Sequence, residues 1–455
     1  MQTKSNKPGV SLAREKALQA LVQVERDKAF INLTLKRHLG YFLNREDRAF
    51  ATRLSYGVIQ RLNTLDWIIS LYLKKELSTL TSWIRNILRL SAYQLFYMVR
   101  VPTHAIVNES VKLSYRYGHR GVAGLVNAVL RKMSRAMWEE LPWPDKEKEP
   151  LNFLCLRYSF PLWLIRRWLK QHSFAEVEQI CKAHNRIPPV FIRANTLKTT
   201  AADLERFLTE EGAVVEKHPF LPEVLQLVQS PLPLDSLVAY KEGLFHVQGD
   251  SSILTCLALK PCENDKLLDL CCAPGGKTAT LSQMMKGKGT IVAVEPDANR
   301  MKLLQNTLHR LQIKNVSFVL EDGRNISEKK WGSFSKVLVD APCSGVGVIR
   351  RKPDIKWRLN ESIFKENALL QLSLLQKGFS MLSPGGLLVY SVCSTDFEET
   401  VSVIRAFLKE NKNACLAKLA LLSQIIKPRE EGLYLIQPHL HDMDGFFISG
   451  LVKKA

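Results

Sequence analysis

Five short apolar runs, Leu267–Cys271, Ile291–Glu295, Val316–Leu320, Val337–Asp340 and Leu387–Val392, follow one another in the second half of the chain, with helix-forming stretches between most of them. Runs of this length, bounded by polar residues, read as strands. Strands that alternate with helices pair in parallel through crossover connections. From about Leu237 onward the expected fold is therefore an α/β doubly wound, Rossmann-like sheet. Such sheets bind ligands at the carboxyl ends of their strands. Chemistry-bearing residues are expected just after each run, and the sequence has them there.

The first run leads into Asp269-Leu-Cys271-Cys272-Ala273-Pro274-Gly275-Gly276-Lys277-Thr278. The two glycines let the backbone turn tightly into a helix and come close to a ligand. A phosphate-binding loop would need glycine at position 271, where Cys271 stands, and a dinucleotide fingerprint needs spaced rather than adjacent glycines. Neither a triphosphate nor a nicotinamide dinucleotide is expected here. The second run ends in Glu295, where a carboxylate suits the two hydroxyls of a ribose. The third ends in Glu321-Asp322-Gly323, where an acid can accept a hydrogen bond from the amine of adenine. Together these ends make an adenosine-shaped site without phosphate recognition, as S-adenosylmethionine requires. Taken singly, each acid could equally be a helix cap or turn residue.

The fourth run ends in Asp340-Ala-Pro-Cys343-Ser344-Gly345 and a later one in Tyr390-Ser-Val-Cys393-Ser394. A lone cysteine is usually a small buried hydrophobe. Two at equivalent strand ends, each followed by serine and beside a cofactor site, point to chemistry. A thiolate that adds to C6 of cytosine turns the ring into an enamine with a nucleophilic C5, which can take a methyl group. The scheme needs one nucleophilic cysteine, an acid near N3, for which Asp340 is placed, and a base. The residues alone do not rank the two cysteines.

Upstream, residues 1–140 read as a helical bundle. Ser11 is the expected N-cap of a helix carrying Ala17, Ala20, Leu21 and Val24 on one face. Trp83–Met98 and Val122–Met133 repeat the helical pattern. Residues 141–236 read as a charged, proline-rich linker followed by a small α+β unit, with helices over 161–171, 174–184 and 201–211 and strands over Val190–Ala194 and Val224–Leu227. Residues 237–455 are the α/β domain. Of the net charge of +20, residues 1–150 carry +12, with 25 Lys and Arg against 13 Asp and Glu. A basic excess on one folded part is the footprint of a phosphate-backbone binder. After Cys343, Arg350, Arg351, Lys352, Lys356 and Trp357 suit single-stranded nucleic acid, or form a merely solvated loop. The nine cysteines are odd in number and include no Cys-x-x-Cys pair. That fits a reducing compartment and gives no support to a zinc ribbon. The N-terminus is polar, and no apolar run reaches the ~18 residues of a membrane helix. A cytoplasmic protein without membrane association or metal is expected, and a monomer.

In this order the motifs resemble the RNA cytosine-C5 methyltransferases of the NOL1/NOP2/Sun family. The similarity runs over nearly the whole chain, in the arrangement of the bacterial members that act on 16S ribosomal RNA, and the first 140 residues are similar to a NusB-type RNA-binding domain. The resemblance implies a class I methyltransferase domain, S-adenosyl-L-methionine as methyl donor and 16S rRNA as partner. It implies that Cys271, Cys272, Ala273, Pro274, Gly275, Gly276, Lys277, Glu295, Asp322 and Asp340 line the cofactor site. It also implies that Cys393 is the nucleophile and that Cys343 assists release of the methylated base, with Asp340 and Lys277 in the same centre. Two positions depart from the family pattern: Val392 stands where threonine is usual, and Cys272 where alanine is common. Asp444-Gly-Phe-Phe447 resembles the family's closing strand. A reading from another class is an RNA-binding, antitermination-like module with an inactive methyltransferase domain. Retention of both cysteines, Asp340 and the Gly-Gly turn counts against it. Cys271 counts against a P-loop hydrolase.

Overall fold

Apolar residues at helical spacing build the N-terminal part. In the computed structural model, which describes residues 9–39 and 44–454, Ala17, Ala20 and Leu21 are buried on the helix Leu12–Asp27. Ser11 is its N-cap residue, but its hydroxyl caps nothing; its amide instead donates to Glu109 Oε2 at 2.7 Å. The helices Arg45–Gln60, Leu62–Tyr72, Ser82–Tyr97, Thr103–Tyr117 and Arg120–Met133 close on the same core through residues such as Leu54, Ile68, Leu88 and Leu130. The first eight residues of the polar N-terminus lie outside the described residues.

Contacts divide the chain into two units, one of Met1–Asn185 with Lys352–Arg358 and one of Arg186–Arg351 with Leu359–Ala455. The stretch expected as a linker is bound to the helical core of the first unit. Leu141 is buried, and the Trp143 ring lies 4.5 Å from Trp67 and 4.8 Å from Trp138. Its Nε1 donates to the carbonyl of Trp138 at 3.0 Å. Prolines and charges dominate the composition there, but the two apolar residues among them decide where the segment goes. The helices Pro150–Tyr158, Leu162–Leu169 and Phe174–His184 complete this unit.

The segment Lys352–Arg358 corrects the expectation of a nucleic-acid-facing loop. Lys356 is fully buried, and its Nζ donates to the carbonyls of Gln60 at 2.7 Å and Ser159 at 2.6 Å. Trp357 Nε1 donates to the carbonyl of Ile59 at 2.7 Å, and the ring packs on the helical core. In the second unit, Arg350 is buried in an ion pair with Asp444 at 2.7 Å. These side chains bind the protein's own backbone and acids rather than phosphates.

Burial, with the Arg61 charge nearby, drives the Lys356 amine well below its ordinary value. A neutral amine has two N–H groups, and two carbonyls accept them. A lysine whose folded pKa is depressed binds fewer protons than in the unfolded chain. Wild-type stability therefore rises with pH up to lysine's usual pKa of about 10.4. The Lys356→Met variant lacks this dependence and leaves two carbonyls unsatisfied. Its melting deficit relative to wild type is expected to widen between pH 7 and pH 10 by up to about 2–4 °C per pH unit, the shift produced by ~1.4 kcal/mol in a unit of this size. A deficit that stays flat over that range would mean the amine is charged in place.

In the second unit the strands β1 (Val190–Ala194), β2 (Val214–Lys217), β3 (Val224–Gln229) and β4 (Phe245–Val247) form an antiparallel sheet in the order β2-β3-β1-β4. Just past β1, Asn195 Nδ2 donates to the carbonyl of Leu311, the residue that ends the helix Ala298–Arg310, at 2.9 Å. The main sheet comprises β5 (Lys266–Asp269), β6 (Thr290–Val294), β7 (Val316–Val319), β8 (Phe334–Asp340), β9 (Leu382–Val392), β10 (Ala414–Ala417), β11 (Leu433–Ile436) and β12 (Phe446–Lys453). Its order is β10-β12-β9-β8-β5-β6-β7, with β11 also pairing β12. The five expected runs are its parallel strands. The sheet is mixed, because β12 enters antiparallel beside β9. Leu267, Leu268, Val292, Leu338 and Val389 are fully buried, as strands covered on both faces must be. From β5 the chain builds outward to β6 and β7 on one side and to β8 and β9 on the other. The carboxyl end of β5 is thus the point where strand order reverses and a cleft opens. Among the described residues no helix is long and apolar enough to cross a membrane.

Candidate active site

At the end of β5, Asp269 is fully buried and accepts a hydrogen bond from Thr278 Oγ1 at 2.8 Å. Burial pushes its carboxyl up to about 7. The chain then passes a cis Ala273–Pro274 peptide and turns at Gly275, whose φ is +104°. A Cβ there would lie 2.7 Å from Leu304 Cδ1, so both the backbone angle and the space demand glycine. The helix Gly276–Met284 starts directly afterwards. The Gly275→Ala variant is expected to lose at least roughly 1–2 kcal/mol of folding stability, the strain of a left-handed alanine, read as a lower melting temperature. An unchanged melting temperature would mean that the turn relaxes without cost.

Cys271 is half-buried, Cys272 and Ala273 are buried, and Pro274 is exposed. Cys272 packs with Ala279, Leu304 and Leu308, so it is a core residue. At the end of β6, Glu295 is buried; its Oε1 accepts from the Asp297 amide at 3.1 Å and from Arg300 Nη1 at 3.4 Å. Past β7, Asp322 Oδ2 accepts from Arg324 Nη2 at 2.6 Å, and its Oδ1 caps a short turn through the Arg324 amide at 2.9 Å. The arginine holds the Asp322 carboxyl below its usual value. The turn-capping role open to this residue is therefore in use.

Between β5, β8 and β9 the remaining expected residues come together. Lys277 Nζ donates to Asp340 Oδ2 at 2.7 Å, and Ser391 Oγ donates to Asp340 Oδ1 at 2.7 Å. The Lys277 ammonium also sits 5.2 Å from the centre of the Phe446 ring. Burial favours the neutral amine, but Asp340 outweighs it, and the Lys277 pKa is raised. The Cys343 and Cys393 sulfurs are 3.3 Å apart and unbridged. The Cys343 thiol is pushed well above its usual value, first by its hydrogen bond with Cys393 and then by burial. The two sulfurs differ in their charged neighbours: the Lys277 ammonium interacts with Cys393, while the Glu399 carboxylate acts on Cys343.

Glu399 had no place in the sequence reading. It is fully buried, and Oε1 accepts from the Ser344 amide at 2.7 Å while Oε2 accepts from Ser344 Oγ at 2.5 Å. Its only sequence signal is its position six residues after Cys393, a spacing that says nothing until the chain doubles back. Gly347 was likewise missed. Its amide donates to the carbonyl of Cys393 at 3.1 Å, and a Cβ on it would meet the Gly445 carbonyl at 2.0 Å.

Comparison with known proteins places this geometry. A family model described as 16S rRNA methyltransferase RsmB/F matches residues 256–452, a NusB family model matches 11–135, and a RsmF/B-like ferredoxin-like domain matches 160–234. A Bacillus subtilis (strain 168) protein named "Probable ribosomal RNA small subunit methyltransferase B" is 33% identical over 97% of this chain and 99% of its own length. The chain belongs to the RsmB/F family of ribosomal RNA methyltransferases. Within that family, ribosomal RNA small subunit methyltransferase B of Escherichia coli O1:K1 / APEC is 32% identical over 97% of this chain and 98% of its own. The crystal structure of PH0851 superposes with a TM-score of 0.81 at 28% identity, covering 98% of this chain and 100% of that one. NSun6 from Pyrococcus horikoshii, solved with SFG, shares the fold at 24% identity and a TM-score of 0.59, over 66% of this chain and 99% of that one. As an RsmB/F-type rRNA methyltransferase, the chain has a NusB-like helical domain, a ferredoxin-like domain and a class I methyltransferase domain with a Rossmann-like sheet.

Proposed function

We propose that this enzyme methylates C5 of a cytosine in 16S ribosomal RNA, with S-adenosylmethionine as donor and Cys393 as covalent nucleophile. The observation that carries this reading is the pair of sulfurs 3.3 Å apart, beside the Lys277–Asp340 ion pair. It takes the enzyme to work as a monomer in the cytoplasm, where its ribosomal substrate is.

The strand-end residues suit the donor. Each cation there is already bonded to a carboxylate: Lys277 to Asp340, Arg300 to Glu295 and Arg324 to Asp322. The carboxylates suit ribose hydroxyls, an adenine amine and a positive sulfonium. Glu295, Asp322, Asp340 and the turn from Cys271 to Lys277 would hold the donor. Bound there, S-adenosylmethionine supplies an electrophilic methyl group. The Pyrococcus horikoshii NSun6 structure holds SFG, an analogue of that donor.

C5 of cytosine is too electron-poor to attack a methyl group unaided. Cys393, having lost its proton, forms an Sγ–C6 bond, and the electrons of the C5–C6 double bond become available at C5. Negative charge that builds towards N3 is met by the proton held in the Lys277–Asp340 pair. After C5 has gained the methyl group and the donor has left as its neutral thioether, a base takes the C5 proton, the electrons of that C–H bond re-form the C5–C6 double bond and the Sγ–C6 pair leaves on Cys393 as a thiolate, while N3 returns its proton to the Lys277–Asp340 pair. Cys343 assists this second half. This division of labour comes from the family resemblance, and the Lys277 ammonium interacting with Cys393 and the Glu399 carboxylate acting on Cys343 are in keeping with it.

Incubation with methyl-labelled donor and unmodified 16S rRNA, followed by nucleoside separation, tests the reading. The label is expected in 5-methylcytidine; label in any other nucleoside would contradict it.

A further inference from the structure

A carboxyl group with no exposure to water needs hydrogen-bond partners, and Glu399 has four donors around it. Beside the two bonds from Ser344, Asn367 Nδ2 donates to Oε1 at 2.8 Å and Gln371 Nε2 at 3.4 Å. Its own carbonyl accepts from the buried Tyr390 hydroxyl at 2.7 Å, which pins the main chain. Gln371 also donates to the carbonyl of Pro342 at 2.9 Å. Pro342 and Ser344 flank Cys343, so both neighbours of that cysteine are fastened to one buried cluster. Ser344 Oγ also meets Ser394 Oγ at 3.4 Å, which links the two cysteine turns to each other.

We propose that Glu399 is a positioning residue: it fixes the Pro342–Ser344 turn so that the Cys343 sulfur stays beside Cys393 and can assist release of the methylated base. This rests on the function proposed above. Glu399 touches no reacting atom itself. Its loss should leave the attack by Cys393, which follows another strand, largely intact, and should impair the step that needs Cys343.

The assignment makes an uneven kinetic prediction. With the full-length protein, 16S rRNA and S-adenosylmethionine, Glu399→Ala is expected to transfer one methyl group per enzyme at close to the wild-type rate. Its turnover falls by about 10–100-fold, the cost of displacing a reacting group by an ångström. A protein–RNA adduct that survives denaturing electrophoresis should accumulate. Glu399→Gln keeps an acceptor for the Ser344 amide and offers its own amide to Ser344 Oγ. It should restore most of the turnover and remove the adduct, because geometry rather than charge is what is needed. Ser344→Ala, which keeps the amide bond to Oε1 but deletes the Oγ bonds to Glu399, Ser394 and Val346, should fall between the two and serves if Glu399→Ala fails to fold. Loss of the single-turnover transfer in step with turnover, without adduct and with the melting temperature preserved, would overturn the proposal. So would failure of Glu399→Gln to rescue. Cys343→Ala is run in parallel. An adduct there but none in Glu399→Ala rejects the positioning role alone, whereas no adduct in Cys343→Ala rejects the reading on which it rests.

Discussion

Cys343→Ala is expected to turn a catalyst into a trap. In the presence of 16S rRNA and S-adenosylmethionine, the variant should form a stable protein–RNA adduct visible by denaturing electrophoresis, with turnover close to nil. Cys393→Ala should form no adduct and lose activity by at least about 10⁴-fold, the scale on which removal of a nucleophile acts. The prediction follows from the roles proposed for two sulfurs only 3.3 Å apart, with the Lys277 ammonium interacting with Cys393 and Glu399 acting on Cys343. An inverted result, with the adduct in Cys393→Ala, would exchange the roles of the cysteines and leave the covalent chemistry standing.

The second large effect concerns the ion pair. Asp340 accepts from Lys277 and from Ser391, each at 2.7 Å, so one carboxylate organises two strand ends. Asp340→Asn removes the charge and the route by which a proton reaches the ring. It is expected to lower kcat by about 10²–10⁴-fold, the range for losing a positioned acid. Placed on the Cys343→Ala background, it should abolish the adduct, because it blocks the step before the trap. Persistence of the adduct in the double variant would show that Asp340 acts after the attack, or not at all.

The parallel core of the fold was readable because each of its strands carries a short, mainly apolar run. Leu267, Ile291, Val316, Val337 and Leu387 all begin or lie within strands of the observed sheet. β10 and β11 were not foreseen, since four-residue strands at a sheet's edge carry too little pattern to separate them from loops. The antiparallel setting of β12 depends on pairing between distant residues, and local sequence holds no record of it.

The site was legible where chemistry follows a strand directly, as at Asp340, Cys343 and Cys393. It was not legible where function depends on a residue's partner. Lys356 and Arg350 read as phosphate-binding cations, yet their donors are spent on the Gln60 and Ser159 carbonyls and on Asp444. Glu399 drew no reading from the sequence, and only the return of the chain to Ser344 gives it a partner. The roles proposed for the two cysteines come from the family resemblance, and Lys277 and Glu399, distant in sequence, act on one sulfur each only in the fold.

The most direct test uses 16S rRNA carrying 5-fluorocytosine. A fluorine at C5 cannot leave as a proton does, so an enzyme that adds through C6 and methylates C5 is held on its substrate. With wild-type protein and S-adenosylmethionine, the expected product is an irreversible complex. After protease and nuclease digestion, mass spectrometry should find a methylated fluoropyrimidine nucleotide on the peptide containing Cys393. Ordinary turnover on the fluorinated RNA with no linked peptide, or a nucleotide attached elsewhere, would contradict a covalent route to C5.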